Sequence, residues 1–442
     1  MELPTQTPEP VPPAEPAASI RYDFDLSIDY YSHFVDVVQK IEYVNQTGDT
    51  LSDIALLVYP ALFPGSFALD SMEINGQPYQ AYRLDNKRLT LALPRALAPF
   101  EAITIQLKYR LNLPAREGTY GWTARQTNLG NWHPFIPAYL PGSGWVEHDP
   151  WVVNEFLVGE FLVYPSADYR VAVRMADGQE SVLLAAPAVE QVVEGARIYQ
   201  LSAARTFTLS LSDQYQMSEL VANGVTIRSY YFAEHAYGGA EVVNLASRSL
   251  DVFSKRFGAY PRASLTVVEA DFLHGMEFDG LFYLSRGFYG FYDGDAQNNL
   301  TIITAHETAH QWFFSMVHND QALEPWLDEA LCTYSEIIYY ETYHPELVDW
   351  WWNNRVNFFD PSGAININIY EADGYEEYRD TVYLNGAKFL SELRSAIGDD
   401  AFFRLLTVYV EQNRGKIATR DTFFALLDAV TDVDNSGLVG KY

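Results

Sequence analysis

The sequence predicts an α+β chain of two domains, a β-rich one followed by a mostly helical one. Two observations carry this. Residues 20–232 run as short segments in which apolar and polar positions alternate, the period of a strand with one buried face. After residue 233 apolar residues recur at three- and four-residue spacing instead, which is the helical period. Length agrees, because 442 residues exceed what one ordinary core holds, and 48% hydrophobic and 15% aromatic residues supply material for two.

Residues 1–19 hold six prolines together with Thr5, Thr7, Glu9 and Glu15, a composition that cannot build a core and predicts an extended tether. The segment has neither a basic start nor an apolar stretch, so it is not itself a signal peptide. Its composition is that of a tether placed directly after a secretion or lipoprotein signal. An extracytoplasmic location is therefore expected, with a cytoplasmic protein as the alternative.

The β-rich domain, residues 20–232, opens with YDFDLSIDY over 22–30, an alternating strand. Further strands are predicted over 34–44, 54–59, 89–93, 103–109, 169–173, 198–201 and 206–211. Turn signals separate them: Asn45-Gln46-Thr47-Gly48, Asn75-Gly76, Ala176-Asp177-Gly178 and Asn223-Gly224. Many short strands so punctuated predict an antiparallel β-sandwich or a saddle-shaped sheet.

The domain expected over 233–442 opens with a helix over 242–257, stopped by Gly258 and followed by Pro261. A strand over 265–270, two helices around the motifs below, a loop-rich stretch over 358–380 and helical patterns from Tyr383 complete it.

Composition excludes some functions. The 58 acidic against 29 basic residues give a net charge of −29, which repels nucleic acid and anionic membrane surfaces. No run of eighteen apolar residues occurs, so no membrane span is predicted. The single cysteine, Cys332, excludes an intrachain disulfide and reads as a small buried residue. Glu371, Asp373, Glu376, Glu377 and Asp380 crowd one loop. They read as solvated charge, and would favour a substrate beginning with Arg or Lys if they lined a cleft.

The most informative motif is His306-Glu307-Thr308-Ala309-His310, with Glu329 coming later in Trp326-Leu327-Asp328-Glu329-Ala330. Positions i and i+4 share a helix face, so His306 and His310 can address one ion. Glu307, one position round, can reach a water on that ion. With Glu329 the set offers three ligands, and tetrahedral zinc then keeps one place for water. The apolar Ile302, Ile303, Phe313, Phe314 and Val317 around the motif predict that it is buried, where an unpaired His/His/Glu group is costly and a metal compensates it. One Zn2+ per chain is expected.

Three further stretches accompany the motif: His274-Gly275-Met276-Glu277-Phe278, Thr381-Val382-Tyr383-Leu384-Asn385-Gly386-Ala387, and Asn131-Trp132-His133-Pro134. Together they resemble the aminopeptidase N family of zinc metallopeptidases, the gluzincins, in order and over nearly the whole chain past the tether. The resemblance implies a thermolysin-like catalytic domain and a set of roles. Glu277 would hold the free α-amine of a peptide, while Gly275 and Met276 would receive its backbone. Tyr383 would stabilise the oxyanion, Glu307 would be the general base, and Glu336 would orient a metal ligand. Relative to the family pattern, His274 and Phe278 replace the outer glycine and asparagine, and no N-terminal partner for Glu277 is legible. The large helical C-terminal domain of many relatives is absent from this sequence, which implies a more open cleft.

The function expected is therefore zinc-dependent removal of N-terminal residues from peptides with a free N-terminus, with a monomer favoured. The alternatives are an open-cleft endopeptidase, a peptidase of modified N-termini, and a non-catalytic binding module on the same fold.

Overall fold

The computed structural model describes residues 18–442, so the tether expected over 1–19 lies almost wholly outside the described residues. The alternation at the start of the β-rich region becomes the strand Ile20–Asp29, which buries Ile20, Tyr22, Phe24, Leu26 and Ile28 on one face. It sits inside an eight-stranded sheet that runs from edge to edge as Gln191–Val193, Ala196–Ala204, Ala167–Met175, Ile20–Asp29, Phe34–Val44, Ala102–Asn112, Phe67–Ile74 and Gln77–Pro78. Its neighbours are antiparallel at every seam but one, where Ile20–Asp29 runs parallel to Ala167–Met175. The expected antiparallel sheet is thus mixed. A parallel pair needs a long crossover in place of a tight turn, and the whole stretch between these two strands supplies it.

The buried face of this sheet is covered by the segment around Trp132. Phe24 meets the Trp132 ring at 4.8 Å, and Gln39 donates to the Pro134 carbonyl at 2.7 Å. A four-stranded sheet (Leu183–Ala185, Leu209–Ser212, Thr127–Leu129, Tyr120–Trp122) and a three-stranded one (Leu51–Leu57, Arg88–Leu97, Tyr82–Asp85) complete the N-terminal layers.

The second unit starts earlier than residue 233. Tyr215–Ala222 and Val225–Phe232 form a hairpin, and Val225–Phe232 runs parallel to Ser264–Ala270. The hairpin therefore belongs to a five-stranded sheet that continues through Leu281–Ser285 to Met276–Phe278. Alternation marks a half-buried strand but does not name its partner, which is why the boundary drawn at 232 cuts through this sheet. Met276–Phe278 is an edge strand, with Glu277 opposite Phe282. An edge strand can pair with an extended peptide; here the Phe278 carbonyl already accepts from Gln311 Nε2 at 3.0 Å.

Helices cover this sheet. Ala236–Phe257 ends at Gly258, whose φ of 110° is a glycine conformation. Phe257 meets Phe313 at 4.9 Å and Phe253 meets Trp312 at 5.9 Å, locking it to the helix Asn299–Phe313. That helix starts at Asn298, whose side chain accepts the Thr301 N–H at 2.9 Å and so caps the first turn. Beside it lies Trp326–Tyr343, buried throughout residues 326–340. Gly386–Ile397 packs so closely on Trp326–Tyr343 that a β-carbon at Gly386 would lie 2.4 Å from that of Ala330. The turn before it, Arg379–Asn385, is π-helical, a widened geometry that re-aims side chains. Among the described residues no helix is long and apolar enough to cross a membrane.

Candidate active site

Two neighbouring helices bring three ligand atoms together. His306 and His310 lie one turn apart on Asn299–Phe313, with ring centroids 4.8 Å apart. Glu329, in the first turn of Trp326–Tyr343, places Oε2 at 3.2 Å from His306 Nε2 and 3.5 Å from His310 Nε2. All three residues are buried.

The opposite ring nitrogens show what these atoms await. His306 Nδ1 lies 2.9 Å from Glu336 Oε1, and His310 Nδ1 lies 2.6 Å from Asp328 Oδ1. An ionised carboxylate only accepts, so each Nδ1 carries the proton and each Nε2 turns a lone pair inward. Two lone pairs and a carboxylate oxygen then converge in a buried place, an arrangement that fits a cation. Carboxylates behind histidines are the usual support of metal ligands. Glu336 is itself fixed by Trp351 Nε1–H at 3.0 Å and by Arg355 Nε–H and Nη2–H at 2.9 Å each. Cys332 is buried beneath Asp328 and does not complete the group of His306, His310 and Glu329.

Glu307 faces the same space. Its Oε2 is buried and has no hydrogen-bond partner. Burial pushes its carboxyl up to about 7, against the pull of His310 and His306. Gly275 is what gives it room, because a β-carbon there would lie 2.0 Å from Glu307 Oε1.

Tyr383 sits in the π-helical turn with its ring parallel to that of His306, at a centroid distance of 5.9 Å and 9° between planes. Burial raises its phenol well above the ordinary value, so at neutral pH the hydroxyl keeps its proton and is a donor.

Glu277, on the edge strand, is buried and lies within 4.8 Å, oxygen to ligand atom, of both Glu307 and His310. A second acid stands with it that the sequence did not single out. Glu160 brings a carboxylate oxygen within 4.8 Å of both Glu277 and Glu329. Burial raises Glu160 to about 8, with Glu329 and Asp328 adding to the effect. Burial also raises Glu277 well above the usual carboxylate range, opposed by His310 and reinforced by Glu160 and Glu329. Gln321 Nε2 joins the two sides, donating to Glu277 Oε1 at 3.0 Å and to Asp328 Oδ2 at 2.8 Å. Five carboxyl groups stand around one space (Glu160, Glu277, Glu307, Asp328 and Glu329), and burial holds Glu160, Glu277 and Glu307 toward their neutral forms until positive charge arrives. A metal and a substrate ammonium would provide it.

A signal for Glu160 does exist in the sequence. It is the one charged residue in the otherwise apolar run Phe156-Leu157-Val158-Gly159-Glu160-Phe161-Leu162-Val163. Of Asn131-Trp132-His133-Pro134, only Asn131 reaches the cleft, in the same cavity wall as Glu160 and Glu277. Trp132 and His133 are core residues, His133 lying against Tyr22 at 5.4 Å and pushed down to about 4 by burial.

Comparison with known proteins gives a family match over the second half of the chain and a likeness in fold. Residues 241–442 match the family model described as Peptidase family M1 domain. Aminopeptidase M1-D of Oryza sativa is 26% identical over 233 residues, 48% of this chain and 26% of that protein. Endoplasmic reticulum aminopeptidase 1 of Mus musculus is 26% identical over 218 residues, 46% of this chain and 23% of that protein. The chain thus spans about a quarter of the length of these curated relatives. In fold it is similar to the M1 zinc metallopeptidase of Deinococcus radiodurans, with a TM-score of 0.65 at 20% identity over 96% of this chain and 93% of that one.

Proposed function

We propose, from the Peptidase family M1 domain that residues 241–442 carry, that this chain is a zinc-dependent aminopeptidase that removes single residues from the free N-terminus of peptides. The observation that carries the reading is the placement of Glu160 and Glu277 beside the His306, His310 and Glu329 group. A buried and a half-buried acid next to a metal-binding group form an anchor for an ammonium, set about one residue from the hydrolytic centre.

His306, His310 and Glu329 would hold the zinc. When bound, zinc polarises the scissile carbonyl and lowers the pKa of its water. Glu307 accepts a proton from the attacking water on its free carboxylate oxygen and passes it to the leaving amine. The Tyr383 hydroxyl donates a hydrogen bond to the oxygen on which negative charge develops. Glu277, with Glu160 beside it, binds the α-ammonium by charge-assisted hydrogen bonds, and the edge strand from Met276 aligns the backbone of the next residues. Gly275 leaves the space that Glu307 uses. Glu336 and Asp328 keep the two imidazoles in the tautomer and orientation that bind metal.

The same acids argue against an endopeptidase, since an internal peptide segment would bury them without a counter-charge. Action outside the cytoplasm belongs to this proposal and rests on the Pro/Thr/Glu composition of residues 1–19. The test is Glu307→Gln. It should retain one zinc per chain and lose nearly all turnover of leucyl peptides. More than a tenth of wild-type turnover would reject the assignment of the base.

A further inference from the structure

We propose that Gln321 is a positioning residue that fixes the spacing between the amine anchor and the metal group, acting through Glu277 on one side and Asp328 on the other. The inference rests on the aminopeptidase reading and adds a residue to its machinery.

The side chain has one amide nitrogen, and both of its hydrogens are committed. Nε2 donates to Glu277 Oε1 at 3.0 Å and to Asp328 Oδ2 at 2.8 Å. Asp328 Oδ1 in turn lies 2.6 Å from His310 Nδ1. An unbroken row of hydrogen bonds therefore runs from Glu277 through Gln321 and Asp328 to His310. Its two ends stand on separate elements, the edge strand Met276–Phe278 and the helix Asn299–Phe313. Gln321 is outside the group of His306, His310 and Glu329 and reaches it only through Asp328. On the other side it takes Oε1 of Glu277 and leaves Oε2 for an ammonium.

The residue type fits this task. A glutamine amide donates two hydrogen bonds without bringing a charge. A lysine would donate as well, but its own ammonium would compete with the substrate amine for Glu277. An aliphatic side chain would leave two buried carboxyl oxygens without their donor.

The backbone that carries Gln321 is held independently. Asp320 closes the turn 320–324: its Oδ1 accepts the Ala322 N–H at 3.2 Å and the Leu323 N–H at 3.1 Å, and its carbonyl accepts the Glu324 N–H at 2.8 Å. Asp320 Oδ2 lies 2.9 Å from His148 Nε2, which ties the turn to the N-terminal unit. The Ile369 N–H donates to the Ala322 carbonyl at 2.9 Å. Gln321 is 3% exposed. Buried on a turn so braced, it cannot follow Glu277 or Asp328 separately, and so it sets the distance between them.

The experiment compares the full chain with Gln321→Met, which keeps the length and loses both donors, alone and combined with Glu277→Gln. Chelator competition reads zinc affinity, and steady-state kinetics on leucyl peptides read KM and kcat. Gln321→Met should raise KM by about tenfold, the worth of a lost hydrogen bond to a charged group. It should also weaken zinc binding by about threefold or more, less than the loss of a direct partner of a metal ligand. On the Glu277→Gln background the same change should leave KM within about twofold and still weaken zinc, because the anchor end of the row is already broken. Should Gln321→Met fail to fold in a thermal melt, Gln321→Asn, one methylene too short to reach both partners, should still shift KM or zinc affinity. Unchanged KM or unchanged zinc affinity in Gln321→Met overturns the inference, as does no shift of either in Gln321→Asn. So does an equal rise in KM on both backgrounds, which a merely structural loss would give. Absence of turnover by the wild type would overturn the aminopeptidase reading and the anchor end of this inference, while zinc affinity would still decide the His310 end.

Discussion

A β-carbon on Gly275 would lie 2.0 Å from Oε1 of Glu307, so the glycine and the carboxylate share one space. The β-carbon would also lie 2.7 Å from Glu307 Cδ and 2.9 Å from Ile303 Cγ2; all three are side-chain atoms, so Glu307 can swing and Ile303 shift slightly without moving the backbone. Gly275→Ala should therefore fold with little change in melting temperature while displacing the proposed base. Turnover should fall by about 10²–10⁴-fold, the usual contribution of a general base. Steady-state kinetics and a thermal melt on one preparation check this. Activity within twofold of wild type would show that Glu307 does not use this position.

Glu336 holds His306 and is held in turn by Arg355 and Trp351. Glu336→Gln keeps the shape but weakens the acceptor for His306 Nδ1–H. Zinc affinity should drop by about 10–100-fold, as expected for a lost outer partner of a metal ligand. Competition with a chelator measures it, and excess zinc should restore most of the activity. Unchanged affinity would remove Glu336 from the support of the site.

Glu160→Gln removes one of the two carboxyl groups that would ionise against the substrate amine. KM for free-amine peptides should rise by about 10–100-fold, the worth of one charge-assisted hydrogen bond, with zinc content unchanged. An unaltered KM would leave Glu277 as the sole anchor.

A stability prediction comes from the contact between the two units. Asp271 receives Arg125 Nε–H at 3.1 Å and the Thr123 hydroxyl at 2.6 Å. Burial alone would raise its carboxyl, but these donors more than offset that and hold it below the ordinary value. A carboxyl depressed in the folded state contributes stability that is present above its unfolded pKa, about 3.9, and is lost as pH falls through the folded value. Asp271→Asn should therefore melt below wild type at pH 7, and the gap should close below about pH 4. A gap of constant size from pH 7 to pH 3 would contradict the assignment.

The sequence made some of this legible and hid the rest for physical reasons. His306, Glu307 and His310 stand at helical spacing on one element, so geometry follows from local periodicity alone. Glu160 reaches Glu277 and Glu329 only because the segment after Leu157 is pressed onto Tyr378. At Gly159 an added β-carbon would lie 2.8 Å from the Tyr378 hydroxyl. Such a contact depends on the tertiary fold; the lone charge in the apolar run 156–163 marks Glu160 as unusual but does not name its partners. The hairpin Tyr215–Phe232 alternates as any half-buried strand does, and only its pairing with Ser264–Ala270 assigns it to the second sheet. The motif around Trp132 and His133 associates them with the cleft. Their burial against Phe24 and Tyr22 places them in the core instead.

The central claim is that one centre hydrolyses peptides and counts from a free amine. The most direct measurement compares cleavage of a peptide panel with that of the same peptides N-acetylated, with products identified by mass. Stepwise loss of single N-terminal residues, abolished by acetylation, is the predicted result. Internal cuts that acetylation does not affect would contradict it, and would leave Glu160 and Glu277 without the role of amine anchor.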